Sequence, residues 1–208
     1  MSPIFLSLNF LSFACLTGAC LQITLLSMNT TLFLIVACLA AEPAANQPLD
    51  VGGDAAAVTA ADLAGKPQSL ADLQRGPGGK RLPVVLTFWC SFCHSCRHME
   101  KDLDKLAADY RGKANVYALD SSAGETAEMV QEAAKKAGLK LPILLDADGQ
   151  VADLFGATKT TTTVVLDSEG RVAYVGRFAD GEQKYAQQAL AAVLAGTAVK
   201  TAHTTPKG

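Results

Sequence analysis

Apolar positions recur along this chain with two different periods, and their alternation predicts the architecture. Residues 82–89 are almost continuously apolar and read as a buried strand, while residues 97–110 carry Met99, Leu103, Leu106 and Ala107 at helical spacing. The sequence repeats that order: a strand over 114–120, then a helix from about Glu125 to Ala137 closed by Gly138. A short strand over 141–146 and a short helix over 151–155 come next. Residues 163–167 and 171–175 form a hairpin turning at Ser168, Glu169 and Gly170, and an amphipathic helix over 181–194 covers the sheet. Upstream, residues 58–70 read as a hairpin turning at Gly65, with a brief helix from Ser69 to Leu73. Strands alternating with helices and ending in an antiparallel hairpin predict an α/β fold, a mixed central sheet flanked by helices with an N-terminal β-hairpin extension.

The first 41 residues break the pattern. They hold no charged side chain and are mostly Leu, Phe, Ile, Ala, Ser and Thr. About 20 apolar residues span a bilayer, so this leader reads as a membrane anchor or, starting at Met28, as a secretory signal ending in Leu39, Ala40 and Ala41. Ile35, Val36, Ala37 and Cys38 also match a lipoprotein leader, which leaves membrane attachment as an alternative to cleavage. On each reading the chain is exported, to a bacterial periplasm or cell envelope. Residues 42–54, rich in Pro, Ala, Asn, Gln and Gly, read as a flexible linker, 55–198 as the folded domain and 199–208 as a polar tail.

Export changes the meaning of the six cysteines. Cys15, Cys20 and Cys38 fall in the leader, so a processed chain keeps Cys90, Cys93 and Cys96, joined on the lipoprotein reading by Cys38 as lipid carrier, and the three are too few and too clustered for a disulfide scaffold. The net charge of -2 gives no basic footprint, and no nucleic acid is expected to bind. Cys93 falls where the strand gives way to a helix, so unpaired N–H groups and the helix dipole favour a thiolate there. Cys96 lies one turn inside, placed to attack a mixed disulfide from within. These residues predict a redox-active thiol pair.

From about residue 55 to 195 the chain resembles the thioredoxin superfamily, in particular its exported redoxin branch, the thiol-disulfide oxidoreductases of the TlpA and ResA type. That branch ends a strand in Phe-Trp-Ala-Ser-Trp followed by Cys-Pro-Pro-Cys-Arg; here the register reads Phe88, Trp89, Cys90, Ser91, Phe92, Cys93, His94, Ser95, Cys96, Arg97. Further matches are Asp62 to Pro67, Pro142 to Asp146, Phe155 with Gly156, and Val164 to Asp167 with Gly170 and Arg171. The resemblance implies a thioredoxin fold and a thiol-disulfide oxidoreductase in which Cys93 and Cys96 are the catalytic pair, with protein thiols or disulfides as partners and no cofactor. It implies that Phe92, Thr160 and Thr161 border the docking site for substrate.

Three departures from the family pattern bear on the chemistry. Thr161 stands where the family has a cis-proline, and since a cis bond before a non-proline residue costs roughly 2.5–4 kcal/mol, the Thr160–Thr161 peptide is expected to be trans. His94 and Ser95 replace Pro-Pro; a protonated His94 beside Cys93 stabilises the thiolate and makes the disulfide more oxidising, which puts His94 among the catalytic residues. Cys90 replaces a small residue, either as a small hydrophobe or as a third sulfur.

Two other functional classes stay open. Cys90, Cys93 and Cys96, with His94 and His98 nearby, supply soft ligands for Cu(I) or Zn(II), the equipment of a copper-binding protein or chaperone. Pro83, Thr87 and Cys90 fit the spacing P-x-x-x-T-x-x-C of peroxiredoxins, a peroxidase reading. Trp89 reads as core, and Arg97 with Glu100 as a solvated helix face. Thr87 stands where thioredoxins carry an aspartate, so no buried carboxylate is expected beneath the cysteines, and proton transfer to Cys96 is left to water or His94.

Overall fold

The computed structural model describes residues 47–207. The leader readings fall outside the described residues, and among these no helix is long and apolar enough to cross a membrane.

Among the described residues seven strands form one mixed sheet. In chain order they are β1 (Thr59–Asp62), β2 (Pro67–Ser69), β3 (Val84–Phe88), β4 (Asn115–Asp120), β5 (Ile143–Leu145), β6 (Thr162–Leu166) and β7 (Val172–Arg177). Five α-helices accompany them: α1 (Leu70–Leu73), α2 (His94–Asp109), α3 (Ala127–Ala137), α4 (Gln150–Leu154) and α5 (Tyr185–Leu194). The spatial order is β2-β1-β5-β4-β3-β6-β7. β3, β4 and β5 run parallel, as their helical crossovers require, while β6 and β7 run antiparallel and the β1–β2 hairpin extends the far edge beside β5.

Every residue of β3 is buried, because the central strand has helices on both faces. Side chains alternate across the sheet. Val85, Val116, Ala118, Val165 and Tyr174 face α2, α3 and α5, whereas Val84, Leu86, Leu119, Val164 and Leu166 face α1 and α4. α2 contributes Cys96, Met99, Leu103 and Leu106 to the first core, the stripe its spacing predicts. Burying a leucine such as Leu103 contributes about 1.5–3 kcal/mol.

Local signals explain the boundaries. Ser69 and Asp72 form a reciprocal capping box on α1, Thr126 caps α3, and Gly138 ends it in the left-handed conformation at φ 73°. The last helix starts later than its amphipathic pattern predicts: Asp180 and Gln183 exchange backbone hydrogen bonds in a tight turn, so residues 181–184 precede α5.

Both segments read as loose are tied down where they are described. Within the expected linker, Leu49 N–H donates to Leu154, Gly52 N–H donates to Val172, and Gly53 accepts from Val172. In the expected polar tail, residues 202–204 pair with β7. These backbone partners lie more than a hundred residues away in sequence for the linker and about thirty for the tail, which low-complexity composition does not reveal.

Candidate active site

The site begins where β3 leaves the sheet. Trp89 N–H still pairs with Leu119 at 2.9 Å, and then Cys90, Ser91 and Phe92 carry the chain into α2. Cys93 is the N-cap of α2, with extended φ and ψ of −73° and 114°, and its sulfur accepts from Cys96 N–H at 3.0 Å. A cysteine sulfur thus occupies the position where serine or aspartate oxygens usually satisfy a helix's first N–H groups. That hydrogen bond and the helix dipole both favour negative charge on Cys93.

Cys93 and Cys96 are joined in a disulfide. Their exposures differ in the sense that orders a reaction: Cys93 is half-buried, and Cys96 is 0% exposed. The threonine run completes the surroundings. Thr160 Oγ1 lies 3.1 Å from Cys93 Sγ, while Thr163 Oγ1 pairs with Thr87 Oγ1 inside the sheet at 3.1 Å. Thr162 donates to Lys159 O and Thr161 donates to Lys207 O, both at 2.7 Å. Every hydroxyl in residues 160–163 therefore has a partner, and Thr160 is the one that reaches sulfur.

At the cis-proline position the Thr160–Thr161 peptide is trans, as the sequence predicts, but Thr161 adopts φ 70°. A β-branched residue in the left-handed region costs about 1–3 kcal/mol. The Thr161 N–H donates to Phe88 O at 2.7 Å and, with its hydroxyl on Lys207, holds the residue in place. Phe92, 67% exposed, stands beside the pair as an apolar contact surface.

His94 does not turn to the sulfur. Its ring stands edge-on to that of His98, with centroids 5.0 Å apart and the two Nε2 atoms separated by 3.4 Å. Any influence on Cys93 is through space, across the open side of the helix.

Cys90 occupies a different setting. It is a free thiol, 3% exposed, and burial pushes it above the ordinary thiol range, against hydrogen bonding to Ser122 and the Phe92 N–H. Nearby Glu125 and Asp120 push it further in the same direction. Among the described residues no group of three His, Cys, Asp or Glu side chains is arranged to hold a metal ion. The equal spacing of the three cysteines thus does not bring three sulfurs together: two are bonded to each other, and the third is held at the strand end. Thr87 Oγ1, engaged with Thr163, is likewise not presented with Cys90 toward a small substrate.

A buried carboxylate that the sequence does not reveal lies beside Cys90: Asp120, at the end of β4. It is 3% exposed, its Oδ1 accepts from Ser122 N–H at 2.8 Å, and its Oδ2 has no hydrogen-bond partner. Burial first, and then the neighbouring Glu125 carboxyl, push its pKa up to about 7. Glu125 in turn accepts from Ser91 N–H at 3.1 Å and from the Ser91 hydroxyl, tying the acid pair to the loop that carries the cysteines. The sequence shows Asp120 only as a polar strand end. A correction concerns Glu100, read as solvated: its Oε1 accepts from Trp89 Nε1 at 3.0 Å, fixing the indole behind the turn.

A thioredoxin-type sheet carrying a vicinal thiol pair at a helix N-terminus defines a class of thiol-redox proteins, and the comparisons narrow it. The model of the AhpC/TSA family matches residues 51–175, and the chain belongs to that family. It is 30% identical to the thiol-disulfide oxidoreductase ResA of Bacillus subtilis (strain 168) over 64% of this chain and 70% of that one. It is 34% identical to the thioredoxin-like protein YneN of the same organism, over 52% and 60% of the two chains. Among solved structures, a hypothetical protein of Sinorhizobium meliloti 1021 superposes with a TM-score of 0.67 at 28% identity, covering 78% of this chain and 93% of that one. A DsbE-like protein of Chlorobium tepidum superposes with a TM-score of 0.59 at 22% identity, over 70% and 99%, which shows the same fold. The fold and family expected from the residues are therefore those found, and the chain is a thiol-disulfide oxidoreductase of the redoxin branch.

Proposed function

We propose that Cys93 and Cys96 carry the exchange, with proteins of the cell envelope as substrates and the uncharged leader directing export or anchorage. The observation that carries this reading is the asymmetry of the pair: a half-buried Cys93 sulfur held by the Cys96 N–H, and a Cys96 sulfur with no access to solvent. In the reducing direction the Cys93 thiolate attacks one sulfur of a substrate disulfide, and the other substrate sulfur leaves as a thiolate that takes up a proton. Cys96 then loses its proton and attacks Cys93 Sγ in the mixed disulfide. This releases the second substrate thiol and leaves the Cys93–Cys96 bond. Two electrons pass to the substrate in all; the oxidising direction is the reverse.

The groups around the pair have separate tasks. Thr160 supports the Cys93 thiolate and Phe92 offers apolar contact. Thr161 marks the edge along which an extended substrate lies, and His94 adds a screened charge. Titrating the protein through a thiol-disulfide redox series without metal, with alkylation and mass spectrometry, tests the assignment. Cys93 and Cys96 should open and close together while Cys90 stays reduced. Three cysteines that resist alkylation until a chelator is added would make the site a metal centre instead. Mass analysis of the N-terminus of the protein from its native host tests the leader, with a cleaved, lipidated or intact end as the three outcomes.

A further inference from the structure

Beyond α5 the chain turns back and lies along β7, the outer strand of the sheet. Val175 N–H donates to Ala202 O at 3.0 Å, Thr204 N–H donates to Val175 O at 3.2 Å, and His203 bridges Val175 in parallel. Thr204 Oγ1 shares a hydrogen bond with the buried Tyr174 hydroxyl at 2.6 Å and accepts from Arg177 N–H at 2.8 Å. Arg177 Nε donates to Thr205 O at 2.8 Å, and Lys207 Nζ lies 3.2 Å from Asp180 Oδ2.

The sheet is shaped for this strap. Gly176 has no left-handed φ to explain its lack of a side chain. A Cβ there would collide with Thr204 Oγ1 and come within 2.6 Å of the Tyr174 hydroxyl and 2.7 Å of Thr204 N. The strap ends at the reactive pair: Lys207 O accepts from Thr161 Oγ1, and the preceding residue, Thr160, touches Cys93 Sγ.

We infer that residues 202–207 occupy, within their own chain, the surface that an extended client segment uses. This inference rests on the thiol-exchange reading and adds to it the client class and a control on access. An outer strand recognises extended backbone by hydrogen-bond pairing, as the strap itself does. The Thr161 hydroxyl calls for a backbone carbonyl, and Asp180, already paired with Arg177, takes a second basic side chain, which Lys207 supplies. Beside them a groove of about 340 Å³, lined among others by Ser95, His98, Met99 and Arg177, is open to a neighbouring client side chain. The preferred client is therefore an extended segment with a basic residue close to its cysteine. The strap competes with it from an effective concentration in the millimolar range. Its exposed positions, His203, Thr205 and Lys207, mark it as a segment that opens without unfolding the domain.

The test compares the full chain with one ending at Lys200, both reduced. One probe is a small aromatic disulfide; the other is a synthetic Thr-Thr-Pro-Lys-Cys peptide carrying the same chromogenic thiol as a mixed disulfide. Removing the strap should raise the single-turnover second-order rate constant on the peptide about 3–10-fold and leave that on the small disulfide within about twofold. Lys207→Glu, which keeps the strap but opposes Asp180, should move the peptide rate in the same direction by about twofold. It decides the matter if the shortened chain unfolds by circular dichroism. Equal peptide rates in all chains, or equal changes on both probes, overturn the inference and leave the exchange reading standing. Failure of every chain to react with the small disulfide overturns the exchange reading, and this inference with it.

Discussion

Cys90 and Cys93 are three residues apart on one turn of chain, yet they lie in opposite chemical settings. Cys93 caps a helix, accepts the Cys96 N–H and touches a hydroxyl, all of which favour a thiolate. Cys90 is buried against a carboxyl pair, and both burial and those neighbours hold its proton on. Equal spacing in sequence therefore does not mean equal chemistry. What separates the two sulfurs is the place where the strand ends and the first free N–H groups of the helix begin. The largest test of the contrast exchanges each thiol for a hydroxyl. Cys93→Ser should reduce exchange by on the order of 10³-fold or more, since the nucleophile itself is removed. Cys96→Ser should instead accumulate a covalent adduct with substrate, visible on non-reducing gels. Cys90→Ser should leave turnover within about twofold and lower stability by roughly 1 kcal/mol, the cost of a hydroxyl at a site suited to a small hydrophobe. A loss of exchange in Cys90→Ser as large as that in Cys93→Ser would erase the distinction.

The carboxyl pair beside Cys90 gives the next largest effect, one of stability rather than rate. Asp120 is pushed up to about 7 from the ordinary 3.8 of an aspartate, so it binds its proton more tightly folded than unfolded. Its contribution is fully present below pH 3.8, declines as the unfolded chain ionises while the folded one does not, and is lost as pH rises through about 7. The slope over this window approaches about 1.4 kcal/mol per pH unit at most. Asp72, Asp180, Glu128 and Glu132 shift downward, so their linkage falls at more acid pH and leaves pH 5–8 to Asp120. Urea midpoints should fall from pH 5 to pH 8 in the parent chain. Asp120→Asn, which mimics the protonated acid, should flatten that fall. Parallel curves for the two proteins would remove Asp120 as its source.

The two settings also differ in how far the sequence exposes them. The strand over 84–88, the helical stripe of Met99, Leu103 and Leu106, and the cap on Cys93 are all local patterns, since each follows from neighbours within one turn or one strand. The Cys93–Cys96 disulfide was therefore legible from local pattern together with the family register, which sets it apart from the equally spaced Cys90 and Cys93. Asp120 was not, because a polar residue at a strand end reads as a turn, and only the sheet order places it next to the β3 exit. The Trp89–Glu100 hydrogen bond joins residues whose separate patterns read as core and surface. The strap was missed for a related reason: its backbone pairs with a strand about thirty residues earlier, and no periodicity in Thr-Ala-His-Thr-Thr signals that.

Thr160 provides a smaller test, on the Cys93 side of the contrast. Its hydroxyl lies 3.1 Å from Cys93 Sγ and can donate to the thiolate, a hydrogen bond worth more to charged than to neutral sulfur. Thr160→Val keeps the branched shape and removes the donor. It should slow attack on a small disulfide by about 3–10-fold near neutral pH, with the loss shrinking at high pH where the thiolate forms regardless. Thr160→Ser should restore most of the rate. A loss independent of pH, unrescued by serine, would assign Thr160 to shape alone.

The smallest effect belongs to His94, the residue in which the sequence pattern and the geometry pull apart. Beside Cys93 in sequence, it offers positive charge to the thiolate; in the fold its ring faces His98 on the exposed side of α2. A charge acting through solvent at such a position is worth about 0–1 kcal/mol, and for a two-electron couple 30 mV corresponds to about 1.4 kcal/mol. His94→Gln should therefore make the midpoint more negative, because losing the charge disfavours the thiolate form, but by no more than about 20 mV. The shift should vanish in 1 M salt, where the screening length falls to about 3 Å. A shift several times larger that persists in salt would mean that the imidazole leaves His98 and binds the sulfur directly. The two histidines would then be a switchable pair rather than a solvated face.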